Sequence, residues 1–122
     1  MRIAIPVDSQ SLEARVAMSF GRTPYFLIYD VDTKDSIFIY NIAADSTGGA
    51  GIRAAQSVVD NKVDVLITPR LGENAANVVK AAGIKVYRCI DGTGQDNIDA
   101  YTSGQLSMLE EVHSGYHGRK GY

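Results

Sequence analysis

Apolar positions along this 122-residue chain change their spacing near residue 45. Before that point they come in short runs. Residues 3–7 are continuously apolar, stop at Asp8-Ser9, and read as a buried strand. Pro6 cannot donate to a central ladder, a demand eased by its place near the strand end. Residues 9–22 are irregular around Leu12, Val16 and Met18. Residues 25–31 and 37–42 are aromatic and β-branched, with Asp32-Thr33-Lys34-Asp35 as turn chemistry between them, so the pair predicts a hairpin.

From Asp45 the period lengthens. Asp45-Ser46-Thr47-Gly48-Gly49-Ala50-Gly51 is a glycine-rich loop, after which Ile52, Ala55, Val58 and Val59 share one helical face up to Asn61-Lys62. Residues 63–68 read as a strand stopped by Pro69. Leu71, Ala75, Val78, Val79 and Ala82 give a second helical stripe, with Gly83 placed for a left-handed helix end. Residues 84–89 predict a short strand. Thr93 with Asp96 resembles a capping box for a third helix running to about residue 103, closed by Gly104. Leu106, Met108 and Leu109 form a last apolar hook. The pattern predicts one domain over residues 1–112 and a flexible Gly/His tail over 113–122.

The order is therefore β-β-β-α-β-α-β-α. The hairpin demands antiparallel pairing, and the strand–helix–strand repeats demand right-handed parallel crossovers. The simplest solution is an α/β, ribonuclease H-like three-layer fold: a five-stranded mixed sheet with helices on both faces and the N-terminal strand near the middle. In such sheets ligands sit beyond the carboxyl ends of the parallel strands. Here those ends are Asp8, Thr68-Pro69-Arg70 and Cys89, with the glycine loop feeding the same edge.

Composition narrows the function. Apolar residues are 45% and charged residues 21%, near globular averages, so one core is within reach. Twelve basic against fourteen acidic residues leave a net charge of −2, which argues against a sequence-independent nucleic-acid binder. No apolar run reaches the ~20 residues of a membrane span. The first residues enter a strand-like pattern directly, which predicts a cytoplasmic protein without a signal peptide. One cysteine makes neither an internal disulfide nor a thiolate cage.

Gly48, Gly49, Ala50, Gly51 and Ile52, opening a helix, suggest an anion cradle of backbone N–H groups. A loop whose glycines only relieve crowding is the alternative. Arg22, in Phe20-Gly21-Arg22-Thr23-Pro24, carries a planar donor fork suited to an oxyanion or thio-anion, unless it pairs with Asp8. Arg53 sits at the wrong end of a helix dipole, which a bound anion would compensate, with a solvated arginine as the alternative. Arg70 projects toward the same rim, and Asn74 could add an amide donor. Cys89 is a small core residue or one soft metal ligand. His113 and His117, four apart, would share a helical face, but Gly115 argues for coil. A degenerate hydrolase using Asp8 would need further acids, which the matching strand end Thr68-Pro69 does not offer.

With these pieces in place the chain resembles the dinitrogenase iron–molybdenum cofactor biosynthesis family, with its nitrogenase cofactor carriers and orange-protein-like members. The likeness covers about residues 1–110. It rests on Met1-Arg2-Ile3-Ala4-Ile5-Pro6-Val7, on Phe20-Gly21-Arg22-Thr23-Pro24-Tyr25-Phe26, on Gly49-Ala50-Gly51-Ile52, on Gly72-Glu73-Asn74-Ala75 and on Lys80-Ala81-Ala82-Gly83-Ile84-Lys85-Val86-Tyr87. The resemblance implies a ribonuclease H-like fold without nuclease activity, and the expectation is a non-enzymatic carrier. It also implies binding or storage of a metal–sulfur cluster containing molybdenum, iron or copper sulfide. Many relatives carry a histidine before Phe-Gly-Arg and another in the glycine loop; this chain has Ser19 and Thr47–Gly51 there. That leaves electrostatic capture of an anionic cluster, or ligation by Cys89, His113 or His117. The expected partners are the inorganic cluster and a client metalloenzyme or assembly protein, with the chain a monomer or weak dimer. The rival expectation is a protein–protein adaptor without a cluster of its own.

Overall fold

The computed structural model describes residues 1–109. Strands β1 (Arg2–Val7), β2 (Tyr25–Asp30) and β3 (Ser36–Tyr40) are followed by helix α1 (Ala50–Asp60), strand β4 (Val65–Thr68), helix α2 (Glu73–Ala81), strand β5 (Lys85–Arg88) and helix α3 (Gly94–Thr102). The sheet order is β3-β2-β1-β4-β5, antiparallel from β3 to β1 and parallel from β1 to β5. This is the three-layer α/β arrangement with β1 at the centre that the order of elements predicts. The expected tail, with His113 and His117, lies outside the described residues.

The alternation along β1 decides the layers. Ile3, Ile5 and Val7 pack with Leu27, Val65, Ile67 and the α3 residue Ile98. Ala4, on the other face, packs with Phe26, Leu66, Val86 and the helical Ala54, Val58, Ala75 and Val79. Helices α1 and α2 thus cover one face and α3 the other. Among the described residues no helix is long and apolar enough to cross a membrane.

Pro6 is accommodated at the centre because of what lies beside it. The parallel register to β4 covers only Ile3 and Ala4. Further along, the Pro6 carbonyl accepts from the Ala17 N–H at 2.9 Å. In a strand the nitrogen faces the same side as the carbonyl, so the missing N–H points at a loop rather than at β2. The hairpin turn is fixed by Asp30, whose Oδ1 accepts from the Asp32 and Thr33 N–H groups at 2.8 and 3.2 Å. Those bonds, the one from Thr33 foremost, hold its carboxyl below the usual aspartate range. Strand β3 stops at Tyr40, two residues short of the expected limit, because Asn41 turns inward. Its Oδ1 accepts from the Ala43 N–H at 3.2 Å and caps a short 3-10 turn over Ile42–Asp45. The apolar hook runs along the outer edge of β5: Arg88 N–H donates to the Ser107 carbonyl at 2.8 Å and Leu109 N–H to the Val86 carbonyl at 3.0 Å. Leu109 is thereby buried in the α1–α2 layer, and the edge is covered.

Ile98 is the largest side chain that α3 buries in its layer. Ile98→Ala is expected to cost about 2–5 kcal/mol in urea unfolding, because the cavity opens against three strands that cannot collapse around it.

Candidate functional site

All three helices begin at the carboxyl edge of the parallel strands, but their first turns are finished differently. In α3 every free amide is answered. Gly94 N–H donates to the Ala14 carbonyl and Gln95 N–H to the Leu12 carbonyl, both at 2.9 Å. Asp96 N–H donates to Thr93 Oγ1 at 3.0 Å, and the Asp96 carboxylate returns a bond to Thr93 N–H in a full capping box. In α1 the cap is Gly49, in the left-handed region at φ 69°, and in α2 it is Gly72; neither helix has a side-chain cap. The N–H groups of Ala50, Gly51, Ile52, Glu73, Asn74 and Ala75 have no acceptor among the described residues. Internal bonding resumes at Arg53 and Ala76, which donate to the Gly49 and Gly72 carbonyls.

These two unanswered helix ends face one open cleft of about 630 Å³. Its third wall is the segment Met18–Gly21 that precedes β2. Gly51 and Ala75 bring the helix ends together: a Cβ on Gly51 would lie 3.7 Å from the Ala75 Cβ. The strap is closer still. A Cβ on Gly21 would stand 3.0 Å from the Gly51 nitrogen and 3.2 Å from its Cα. Glycine at 21 is therefore what lets the strap touch the α1 terminus. Among the described residues, six N–H groups without acceptors and two aligned dipole ends make the cleft electropositive without a cluster of cations. The charged side chains lining it are Arg70 and Glu73, of opposite sign.

Of the residues that the sequence singles out, Gly49, Ala50, Gly51, Ile52, Arg70 and Asn74 line this cleft. Gly48, Arg22 and Arg53 do not. The Arg22 guanidinium is engaged elsewhere: Nη1 donates to the Ala44 and Ser46 carbonyls at 2.9 and 2.7 Å. It clamps the segment that leads into α1, so its action on the cleft is through position. Arg53 lies one residue past the free amides, exposed on α1. Asp8 is exposed at the end of β1, and its N–H donates to the Arg15 carbonyl.

Cys89 lies just beyond β5 and packs with the α3-side cluster, across the sheet from the cleft. Burial raises its thiol pKa above the usual range. Among the described residues no three His, Cys, Asp or Glu side chains converge as a metal site.

Met18, Ser19, Phe20, Gly21, Leu71, Gly72 and Glu73 line the cleft without having been singled out as site residues. A signal was present. Gly49 and Gly72 each precede a helix where Thr93 stands before the third, so two of three helices lack a capping side chain in the sequence itself. Asn41, 1% exposed and outside the cleft lining, was not singled out either: its Nδ2 donates to the Gly21 and Thr23 carbonyls at 3.1 and 2.9 Å and sets the strap's height.

Residues 1–104 match the family model described as dinitrogenase iron-molybdenum cofactor. The apo form of the orange protein from Desulfovibrio gigas superposes with a TM-score of 0.85 at 32% identity, over 89% of this chain and 92% of that one. A Thermotoga protein solved by NMR, and described there as a candidate NifB protein, has a TM-score of 0.81 at 37% identity over 98% of both chains. A Methanocaldococcus jannaschii protein of uncharacterized function is 28% identical over 113 residues, 90% of this chain and 92% of its own length.

Two substitutions probe the geometry. Gly21→Ala should push the strap off α1 and lower stability by about 1–3 kcal/mol, read by chemical denaturation, because backbone rather than a flexible side chain meets the new methyl. Glu73→Gln should have opposite effects on two readouts. It removes an acid from the first turn of α2, costing about 0.3–1 kcal/mol of stability, while anion affinity measured by calorimetry rises severalfold.

Proposed function

The chain belongs to the dinitrogenase iron–molybdenum cofactor family, and on that premise we propose that it carries a small anionic metal–sulfur cluster held non-covalently between the α1 and α2 N-termini. The observation that carries this reading is the contrast among the three helices. Among the described residues, the fold finishes every first-turn amide of α3 and leaves six at α1 and α2 facing one cleft. A polyanion fits such a donor set: each N–H can turn a lone pair of the guest into a charge-assisted hydrogen bond, and among the described residues Glu73 is the one acid in the lining. Among the described residues the cleft has no thiolate or imidazole in its lining, which suits a cluster that brings its own bridging sulfides.

The function is carriage rather than catalysis. A cargo held by hydrogen bonds in an open cleft can be taken by a client metalloenzyme or assembly protein without breaking a metal–protein bond. Molybdenum, iron and copper sulfides all satisfy this chemistry. The rival reading, an adaptor with no cargo, draws on the outer edge of β3, where Ile37 and Tyr40 are exposed along with the following Ile42. An adaptor would be indifferent to changes in the cleft.

The test places a carboxylate among the free amides. Ile52→Asp sits at the third position of α1, where an acid is favourable to the helix, so the variant should unfold no earlier than wild type. Reconstitution with molybdate, sulfide and copper or iron should give wild type a charge-transfer absorption that survives desalting, and the variant little or none. Equal metal retention by a folded Ile52→Asp variant would remove the cleft as the binding site.

A further inference from the structure

The two outer edges of the sheet are finished differently. On β5 the Arg88 N–H donates to the Ser107 carbonyl and the Leu109 N–H to the Val86 carbonyl, so the chain covers its own edge. On β3 no segment among the described residues does so. Its pairing with β2 uses alternate residues. The Asn41 N–H donates to the Pro24 carbonyl and the Asp30 N–H to the Asp35 carbonyl, both at 2.9 Å. In that register Ile37 and Ile39 turn their backbone groups toward Ile28 and Phe26 of β2, and Ser36, Phe38 and Tyr40 turn theirs outward. Residues 36–42, Ser-Ile-Phe-Ile-Tyr-Asn-Ile, hold neither a charge nor a proline, the usual devices that blunt an open edge. Ile37 and Tyr40 are 51% and 52% exposed.

We infer that this edge is the contact between two copies of the chain, paired antiparallel through β3 about a two-fold axis at Phe38. The edge is its own complement. Reversed, the outward residues meet as Ser36 with Tyr40 and Phe38 with Phe38, each pair placed to exchange two N–H···O bonds. On the α3 face of the joined sheet the small Ser36 stands beside the large Tyr40. On the other face Ile37 of one copy meets Ile39 of the other, which takes apolar surface out of water. The paired residues oppose no like charges, because they carry none. Tyr40 is already held for the contact: its hydroxyl donates to Asp45 at 2.7 Å and its ring meets the Tyr25 ring edge-on. Another protein's strand would have to match this spacing and neutrality, whereas a second copy has both by symmetry. A five-residue strand buries less than the ~1,600 Å² of a standard interface, so the dimer is weak and reversible. The contact stands whether or not the cleft carries a cargo.

Sedimentation equilibrium of the full chain from about 1 μM to about 1 mM is expected to show a reversible monomer–dimer equilibrium, with a Kd of roughly 10–500 μM. Over the same range, hydrogen exchange at the Ser36, Phe38 and Tyr40 amides should slow severalfold, while Ile37 and Ile39, bonded within the sheet, should not change. Ser36→Pro removes an outward N–H at the first residue of the strand, where proline is tolerated. Ile37→Lys sets a charge against the facing isoleucine. Each should raise Kd about tenfold or more while keeping the wild-type circular dichroism, and Ile37→Lys alone decides if Ser36→Pro does not fold. A chain that stays monomeric to about 1 mM overturns the inference and leaves the edge to another protein's strand or to residues 110–122. A dimer unweakened in the folded variants, or one without slowed exchange at the three outward amides, puts the contact on another face and overturns it equally. Metal retention should be the same in wild type and both variants, so failure here does not touch the cargo reading.

Discussion

The amide groups of two helix termini, without acceptors among the described residues at one edge of a sheet, are the constraint on which this molecule turns. Strands β3, β4 and β5 each lead toward a helix and all run in the direction of β1, β3 through two antiparallel pairings, so every helix starts at the same edge. Right-handed crossovers then lay α1 and α2 side by side on one face. Two aligned dipoles end in one cleft, and the like polarity of those ends would be unfavourable if the cleft were dry and empty of charge. Water tolerates the arrangement, and an anion satisfies it. At α3, on the other face, the same edge position is closed by the chain itself, which shows that this fold has the means to finish a helix terminus.

The long connection from β1 to β2 divides its work between the two faces. Its first half, through the Leu12 and Ala14 carbonyls, satisfies the opening amides of α3. Its second half, Met18–Gly21, crosses to the other face and forms the third wall of the cleft. That wall is held rigidly although it has no regular structure. Asn41 bonds the Gly21 and Thr23 carbonyls from beneath, Thr23 Oγ1 reaches the Val7 carbonyl at 3.0 Å, and Arg22 ties the strap to Ala44 and Ser46. These are buried or backbone-directed bonds, which fix a loop more firmly than surface ion pairs do. The arginine that looks most like a ligand in the sequence is, in the folded chain, a brace for the loop that delivers α1.

Under the proposed carriage role, binding through amides rather than through metal–protein bonds would have a chemical consequence. Thiolate or imidazole ligation would fix the metal's coordination number and slow its release. Hydrogen bonds to the outer atoms of a guest leave the metal centre as it arrived. Cys89 stands across the sheet from the cleft, so its sulfur is out of reach of the helix ends that line it.

Much of the fold was legible in the residues alone. The shift from short β-branched runs to helical stripes near Asp45 gave the element order, and the order admits one simple sheet. The glycines before α1 and the capping box before α3 were equally readable, because capping is a local interaction between residues three apart. What the sequence could not say is which loops meet. Gly21 lies thirty residues from Gly51, and Met18 more than fifty from Arg70, yet they share one wall-to-wall cleft. Arg22 and Arg53 have the right chemistry and the wrong placement, since a side chain's reach depends on contacts that only the closed sheet creates. Local hydrogen bonding and periodicity are written in neighbouring residues, whereas the convergence of two helix ends and a strap is a property of the packed layers.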